Sequence, residues 1–374
     1  MKPVKGFRDY TGEEARKREK VIQIVKQVFK RYGFEPAETP IIEQESFVKS
    51  IAEGDEAISD IFKLKDKGKR DLALRYEFTF QLQRLVKDKK LPYKRYQTGN
   101  VFRDEPVSSN RFRQFTQLDA DIIGANKQDE IEILALLNSI LNDLGIEADI
   151  YINNRQLMEE ILDEQNVKDK EDVMRELDKL EKQEKQVRKK LGKIVDIFQQ
   201  DEKAFEKYDN YKLIKEIKDL AKSYNINVKF LPSLARGLSY YNGLVFEVKL
   251  AEASLAGGGA FSVNGQQAVG FGIGLERLVK VANISLDEGN AVVLSINQDL
   301  EAGKLANWLR QKGKSIDLIC KSISKGLDYA NTKQIKQVIL IGEKEVQAGK
   351  YRLKNMETGK EKLVNKEKLV KELD

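Results

Sequence analysis

The sequence contains no histidine in 374 residues. That absence removes the commonest general base, any serine–histidine triad and any histidine-ligated metal at once. Chemistry on this chain must run on carboxylates, arginines, and ligand or metal charge. A single cysteine, Cys320, excludes an internal disulfide and a cysteine zinc cluster, and it fits a reducing compartment. No apolar run is long enough to span a bilayer, so no membrane partner is expected. The opening stretch, MKPVKGFRDYTGEEARKREK, lacks the apolar segment of a secretory signal, and a cytoplasmic protein is the expectation. Neither sign of charge dominates. Lys+Arg exceed Asp+Glu by 66 − 60, a net +6, which permits a nucleic-acid partner without demanding one.

What is present concentrates between Gly99 and Gly124. Here three arginines (Arg103, Arg111, Arg113) surround a polar turn between two strand-like segments, and Phe115 follows closely. Gln117, Asp119 and Asp121 then alternate along one strand face. Fixed guanidinium groups, an aromatic face and aligned acceptors point to a nucleoside-triphosphate site with a second small ligand beside it. The competing reading of the same residues is an exposed hairpin with solvated salt bridges.

The length allows two or three domains. A helix is predicted after a capping box at Thr11 and Glu14, with Val21, Ile24, Val25, Val28 and Phe29 recurring at helical spacing and Gly33 as its stop. Pro36 and Pro40 bracket an extended piece suited to a sheet edge or an interface. A hairpin is expected around residues 66–68, a helix over 78–87, a helix over 127–144 and a strand over 148–154. Residues 155–224 turn Lys/Glu-rich with helical spacing and read as a helical insertion. LAGGGAF reads as a glycine-rich turn, and AVGFGIGLERLVKVAN as a strand entering a helix. Beyond residue 290 the pattern is β-α-β-α-β with a closing hairpin and a short last helix.

Three of these segments occur together in one order. VFRDE…RFRQF resembles motif 2 of the class II aminoacyl-tRNA synthetases, GFGIGLERL resembles motif 3, and GFEPAETPIIE resembles motif 1. LARGLSYYNGLVFEV, LAGGGAF and LRYEFT resemble the signatures of the histidyl-tRNA synthetase family. The resemblance implies an α+β fold, with a class II antiparallel sheet flanked by helices, a helical insertion and a C-terminal α/β anticodon-binding domain. Its boundaries would be 1–154 and 225–285 for the two parts of the catalytic domain, 155–224 for the insertion and 290–374 for the last domain.

The resemblance also implies a reaction and its residues. Histidine is activated with ATP to histidyl-adenylate and passed to the 3′ end of tRNA(His), in a homodimer joined through the motif 1 region, with Mg²⁺ bridging the outer phosphates. Two anions must meet, so cations must surround them. Arg103 would hold the α-phosphate and the amino-acid carboxylate, Arg111 and Arg277 the γ-phosphate, and Arg236 the opposite side of the α-phosphate. Phe115 would stack on adenine and Glu105 read its amino group. Glu77 and Thr79 would take the ammonium, Gln117 the polar end, and Asp121 with Tyr241 the imidazole. No protein metal ligand is assigned.

One of Tyr240 and Tyr241 is expected to be structural, because neighbours in a strand face opposite ways. Four departures from the family pattern stand out: Ser239 for Asp, Ala260 for Arg, Phe261 for Tyr and Thr116 for His. The loop PVSSN (106–110) also lacks the Arg and Gln that bacterial relatives place near the tRNA acceptor end. The alternative function on the same fold is a non-catalytic paralog that senses histidine as a regulatory subunit. A triphosphate grip argues for the enzyme, since a sensor of histidine needs none.

Overall fold

The computed structural model describes residues 1–51, 59–108, 111–236, 240–251, 253–286 and 291–373. They form two compact units, Met1–Ile284 and Ser285–Asp374. The first unit begins with α1 (Gly12–Arg31), β1 (Glu35–Pro36), β2 (Ile42–Gln44), α2 (Glu45–Ile51), β3 (Lys63–Lys65), β4 (Asp71–Leu74) and α3 (Leu82–Leu85). It continues with β5 (Tyr93–Phe102), β6 (Gln114–Ile123), α4 (Lys127–Asp143), β7 (Asp149–Asn154), α5 (Arg155–Glu164), α6 (Lys170–Leu177), α7 (Leu180–Leu191), α8 (Ile194–Phe198) and α9 (Tyr211–Ser223). It closes with β8 (Val228–Phe230), β9 (Tyr241–Leu250), β10 (Ala253–Val263), β11 (Gln266–Gly274) and α10 (Leu275–Val281).

The main sheet has the order β1-β5-β6-β11-β10-β9-β7-β8. Its interior is antiparallel, and only the edge pairs β1·β5 and β7·β8 run parallel. Pro36 sits on the edge, where its missing N–H does no harm. A separate three-stranded sheet, β2-β4-β3, contains the hairpin expected around Asp66, whose carboxylate accepts the Arg70 N–H at 2.9 Å.

One face of the main sheet is covered by helices. Val21, Val25, Val28 and Phe29 of α1 and Ile133, Leu137 and Ile140 of α4 are fully buried against Leu118 and Ile122 of β6. The same apolar cluster runs on through Met158, Met174, Val195, Phe205 and Ile214 of the Lys/Glu-rich segment. These amphipathic helices pack directly onto the sheet's core, each burying one face.

Several local expectations need correction. Thr11 precedes α1 but makes no side-chain capping bond, and the Glu14 carboxylate pairs with Arg8 at 3.0 Å. Helical geometry within 78–87 is confined to Leu82–Leu85 in the main, since Glu77 and Thr79 turn toward a cavity first. The glycines of LAGGGAF lie in the middle of β10, paired on both sides, and form no turn.

The second unit comprises β12 (Ala291–Ser295), α11 (Asp299–Gln311), β13 (Ile316–Ile319), α12 (Ile323–Thr332), β14 (Gln337–Ile341), α13 (Glu343–Ala348), β15 (Tyr351–Asn355), β16 (Glu361–Val364) and α14 (Lys366–Glu372). Its sheet order is β13-β12-β14-β15-β16, parallel in the first three strands and antiparallel in the last two. Crossover helices and uniformly apolar strands such as AVVLS are what a parallel sheet covered on both faces requires. The short helix α13 was not foreseen; Glu345 caps it by accepting the Gly342 N–H at 3.0 Å.

Candidate active site

A cavity of about 250 Å³ opens on the sheet face not covered by α1 and α4. Its floor is β6, β11 and β10, and every sequence-predicted site residue lines it: Glu77, Thr79, Arg103, Glu105, Arg111, Phe115, Gln117, Asp121, Arg236, Tyr240, Tyr241 and Arg277. They come from the segment before α3, the β5–β6 hairpin, the approach to β9 and the start of α10.

Strand register explains the floor. Gln117, Asp119 and Asp121 alternate on β6 and stand opposite Gly274, Gly272 and Gly270 of β11. A Cβ on Gly270 would lie 2.1 Å from Oδ1 of Asp121, so only glycine leaves that carboxylate its place. Gln117 donates through Nε2 to Asp119 Oδ2 at 2.9 Å. Beneath Asp121 lies Arg95 of β5, fully buried, with Nη2 at 2.6 Å from Oδ2. Burial pushes the Asp121 carboxyl up to about 6, against the opposing pull of Arg95. Burial also pushes Asp119 well above the usual carboxylate range, with Arg95 again opposing and Asp121 reinforcing.

Arg95 was missed by sequence reasoning. Its neighbours Lys94 and Tyr96 give no sign of burial, and only the pairing Arg95↔Asp121 across β5 and β6 reveals it as a buried counterion. Glu276 was also missed. It accepts the Thr116 N–H at 3.1 Å, pairs with Arg18 at 2.9 Å and so ties α10 to β6 and α1.

The cavity lining is also cationic. Arg103 lies 4.3 Å from the Tyr76 ring centre and 5.3 Å from that of Phe115. Arg111 stands at the rim, 3.4 Å from Glu105. Arg277 donates to the Ser254 carbonyl at 2.7 Å. Its guanidinium is held below the ordinary arginine value by burial and by the nearby charges of Arg111, Arg103 and Arg236, with Glu247 opposing them. Arg236 lies against β10, where a Cβ on Gly257 would fall 2.4 Å from its Cζ. Four guanidinium groups therefore share one cavity, and Arg277 feels the charges of the other three.

Tyr240 and Tyr241 both line the cavity, with ring centres 4.8 Å apart, so neither is set aside on the opposite face. Tyr240 belongs to the turn before β9 and escapes strand alternation. Burial raises both phenols, Tyr240 the more strongly. Phe261 also lines the cavity, opposite Tyr241 on β10 and 5.6 Å from the Tyr240 ring. Ala260 is buried beside it, and the Thr116 hydroxyl donates to Asn100 at 3.1 Å. Ser239 and residues 109–110 of the 106–110 loop lie outside the described residues.

Among the buried polar atoms of this cavity, Oδ1 of Asp119 and Nε of Arg236 have no hydrogen-bond partner among the described residues. Groups of that kind are normally paired, and a bound ligand would pair them. Among the described residues no group of three acidic or thiol side chains is arranged to hold a metal ion. No helix among them is long and apolar enough to cross a membrane.

An antiparallel sheet carrying motif 2 on a hairpin and motif 3 on a strand–helix junction is the class II synthetase α+β architecture. Comparison with known proteins narrows this. The histidyl-tRNA synthetase family model matches residues 6–278, and the anticodon binding domain model matches residues 290–374. The chain is 33% identical to histidine–tRNA ligase 2 of Shouchella clausii, over 96% of this chain and 97% of that one. It is 30% identical to the histidine–tRNA ligase of Methanocaldococcus jannaschii, over 98% and 97%. The chain belongs to the histidyl-tRNA synthetase family. Its fold matches the crystal structure of histidyl-tRNA synthetase from Nostoc with a TM-score of 0.83, at 23% identity over 99% and 98% of the two chains. It also matches a Bacillus halodurans structure described as an ATP phosphoribosyltransferase regulatory subunit/histidyl-tRNA synthetase, with a TM-score of 0.76, at 22% identity over 91% and 97%.

Proposed function

We propose that this chain is a histidine–tRNA ligase, which joins histidine to ATP as histidyl-adenylate and passes the histidyl group to the 3′-terminal ribose of tRNA(His). The observation that carries this reading is the convergence of Arg103, Arg111, Arg236 and Arg277 in one cavity that is also lined by Gln117, Asp121 and two tyrosines. ATP would bind as its Mg²⁺ complex, in which the ion would neutralise charge on the outer phosphates.

In this reading Arg111 and Arg277 hold the outer phosphates, and Phe115 and Glu105 take the adenine. Arg103 and Arg236 flank the α-phosphate and stabilise the charge that develops as the histidine carboxylate attacks in line and pyrophosphate leaves. Glu77 and Thr79 receive the ammonium. Gln117, Asp121, Tyr240 and Tyr241 receive the imidazole, and polar groups placed for both ring nitrogens discriminate against apolar side chains. With no histidine in the chain, the proton of the attacking ribose hydroxyl goes to a phosphate oxygen of the adenylate. The enzyme would be a cytoplasmic homodimer joined through the motif 1 region, where Ile41 and Ile42 are exposed. Its second unit would engage the tRNA.

The regulatory-subunit reading is kept because the Bacillus halodurans structure carries both descriptions on this fold. Histidine-dependent ATP–pyrophosphate exchange, followed by charging of tRNA(His), separates the two. Exchange and charging support the ligase; histidine binding without exchange refutes it in favour of the sensor.

A further inference from the structure

Arg236 reaches the cavity from a backbone that few side chains adopt. Its φ is +63°, the left-handed region that strains a non-glycine residue and persists only where the surroundings impose it. The imposing contact comes from far along the chain. Oδ1 of Asp178, in the link between α6 and α7, accepts the Arg236 backbone N–H at 2.8 Å. Asp178 is itself fixed: it closes α6, its own N–H returning to the Met174 carbonyl at 3.0 Å. Met174 and Leu177 on that helix are buried in the main core.

A second arm leaves the same insertion. Glu181 at the start of α7 pairs with Lys249, which lies 3.3 Å from Glu247. Glu247 in turn lies 3.3 Å from Nη1 of Arg236. The insertion therefore grips one arginine at both its backbone and its guanidinium. None of the three synthetase motifs takes part in that grip.

We infer that Asp178 is a positioning residue for the activation step, acting through Arg236 and touching no substrate. The inference rests on the ligase reading and adds to it a role for the helical insertion: it sets where the Arg236 guanidinium stands against the α-phosphate. Losing the bond frees the backbone at residue 236 and lets the side chain leave its place over Gly257. Histidine and adenine keep their own contacts, so the effect falls on turnover.

The test compares histidine-dependent exchange in the wild type, Asp178→Ala, Asp178→Asn, Arg236→Ala and the double variant Asp178→Ala/Arg236→Ala, with a thermal unfolding curve for each. Asp178→Ala loses about tenfold to a hundredfold in kcat, the worth of a charge-assisted hydrogen bond. Its KM for histidine and ATP stays within about twofold, because only a transition-state contact is lost. Asp178→Asn keeps an acceptor oxygen in place and retains most of the activity. In the Arg236→Ala background, Asp178→Ala costs nothing further, since its route to the substrate is gone.

A folded Asp178→Ala variant with wild-type kcat overturns the inference, as do equal losses in both backgrounds. If Asp178→Ala fails to fold, Lys249→Met reads the second arm: lowered kcat with unmoved KM supports the inference, and wild-type kinetics overturn it. A wild-type protein that binds histidine without exchange overturns the ligase reading before any variant is made, and the inference falls with it.

Discussion

Alanine at position 257 separates the site from the fold. A Cβ there would lie 2.4 Å from both Cζ and Nη1 of Arg236 and 2.6 Å from Nη2, far inside the ~3.5–4.0 Å of a comfortable carbon contact. The atoms it meets are the far end of a flexible side chain, so the guanidinium yields and the strand stays. Pairing of β10 with β9 and β11 survives, and the loss of stability is about 1–2 kcal/mol. The displaced guanidinium no longer faces the α-phosphate. One preorganised donor at a developing charge is worth about 2.7–4 kcal/mol, or ~10²–10³ in kcat.

Alanine at position 258 is the contrast. Its Cβ would lie 2.0 Å from the Gly270 carbonyl oxygen and 2.8 Å from the Phe246 ring. A carbonyl held in the sheet cannot step aside, so the β10–β11 pairing breaks and stability falls by on the order of 3 kcal/mol. Histidine-dependent exchange and urea unfolding, measured on both variants, read the two effects. Gly257→Ala should be folded and slow, and Gly258→Ala unstable. Wild-type exchange in Gly257→Ala, or wild-type stability in Gly258→Ala, would refute the reasoning.

Arg277→Ala should lower exchange by ~10²–10³ with little change in melting temperature, because the guanidinium donates to the Ser254 carbonyl while its charge serves the ligand; exchange within twofold of wild type argues against a phosphate role. Arg95→Met strands Asp121 in the interior without its cation and should cost about 3–5 kcal/mol in urea unfolding; a cost below ~1 kcal/mol contradicts the buried pairing. The pH dependence has a definite sign. The folded Asp121 titrates at about 6 and the unfolded carboxyl near ~4. The native state therefore binds the extra proton in that window. The stability contributed is full below the unfolded value and is lost as pH rises through about 6, by on the order of 3 kcal/mol. Asp121→Asn removes that slope, so the variant should gain on wild type between pH 4 and 7, and a flat difference in unfolding free energy sinks the assignment.

Much of the site's composition was legible in the sequence because its side chains sit in short contiguous motifs whose local geometry is simple. Period-two alternation put Gln117, Asp119 and Asp121 on one face, and a strand–helix junction put Arg277 at the start of α10. What escaped depended on partners distant in sequence. Arg95 is buried because Asp121 stands across the hairpin from it. The glycines at 257–259 read as a turn, yet they lie in a strand where Arg236, a facing carbonyl and Tyr241 fill the space that side chains would take. Asp178 sits in a Lys/Glu-rich stretch where nothing marks one carboxylate among many, and only the three-dimensional contact with Arg236 singles it out. In the second unit the alternation of apolar strands with helices was plain, while the six-residue α13 was too short to leave a periodic signature.

The central claim is that guanidinium groups from distant segments meet one triphosphate beside a pocket for an imidazole. A structure with ATP, Mg²⁺ and histidinol, which lacks the carboxylate needed for reaction, tests it most directly. The account predicts phosphate oxygens within hydrogen-bond distance of Arg103, Arg111, Arg236 and Arg277, with the ring of histidinol against Asp121 and Tyr241. A nucleotide bound away from these arginines, or a histidinol ring directed elsewhere, would contradict it.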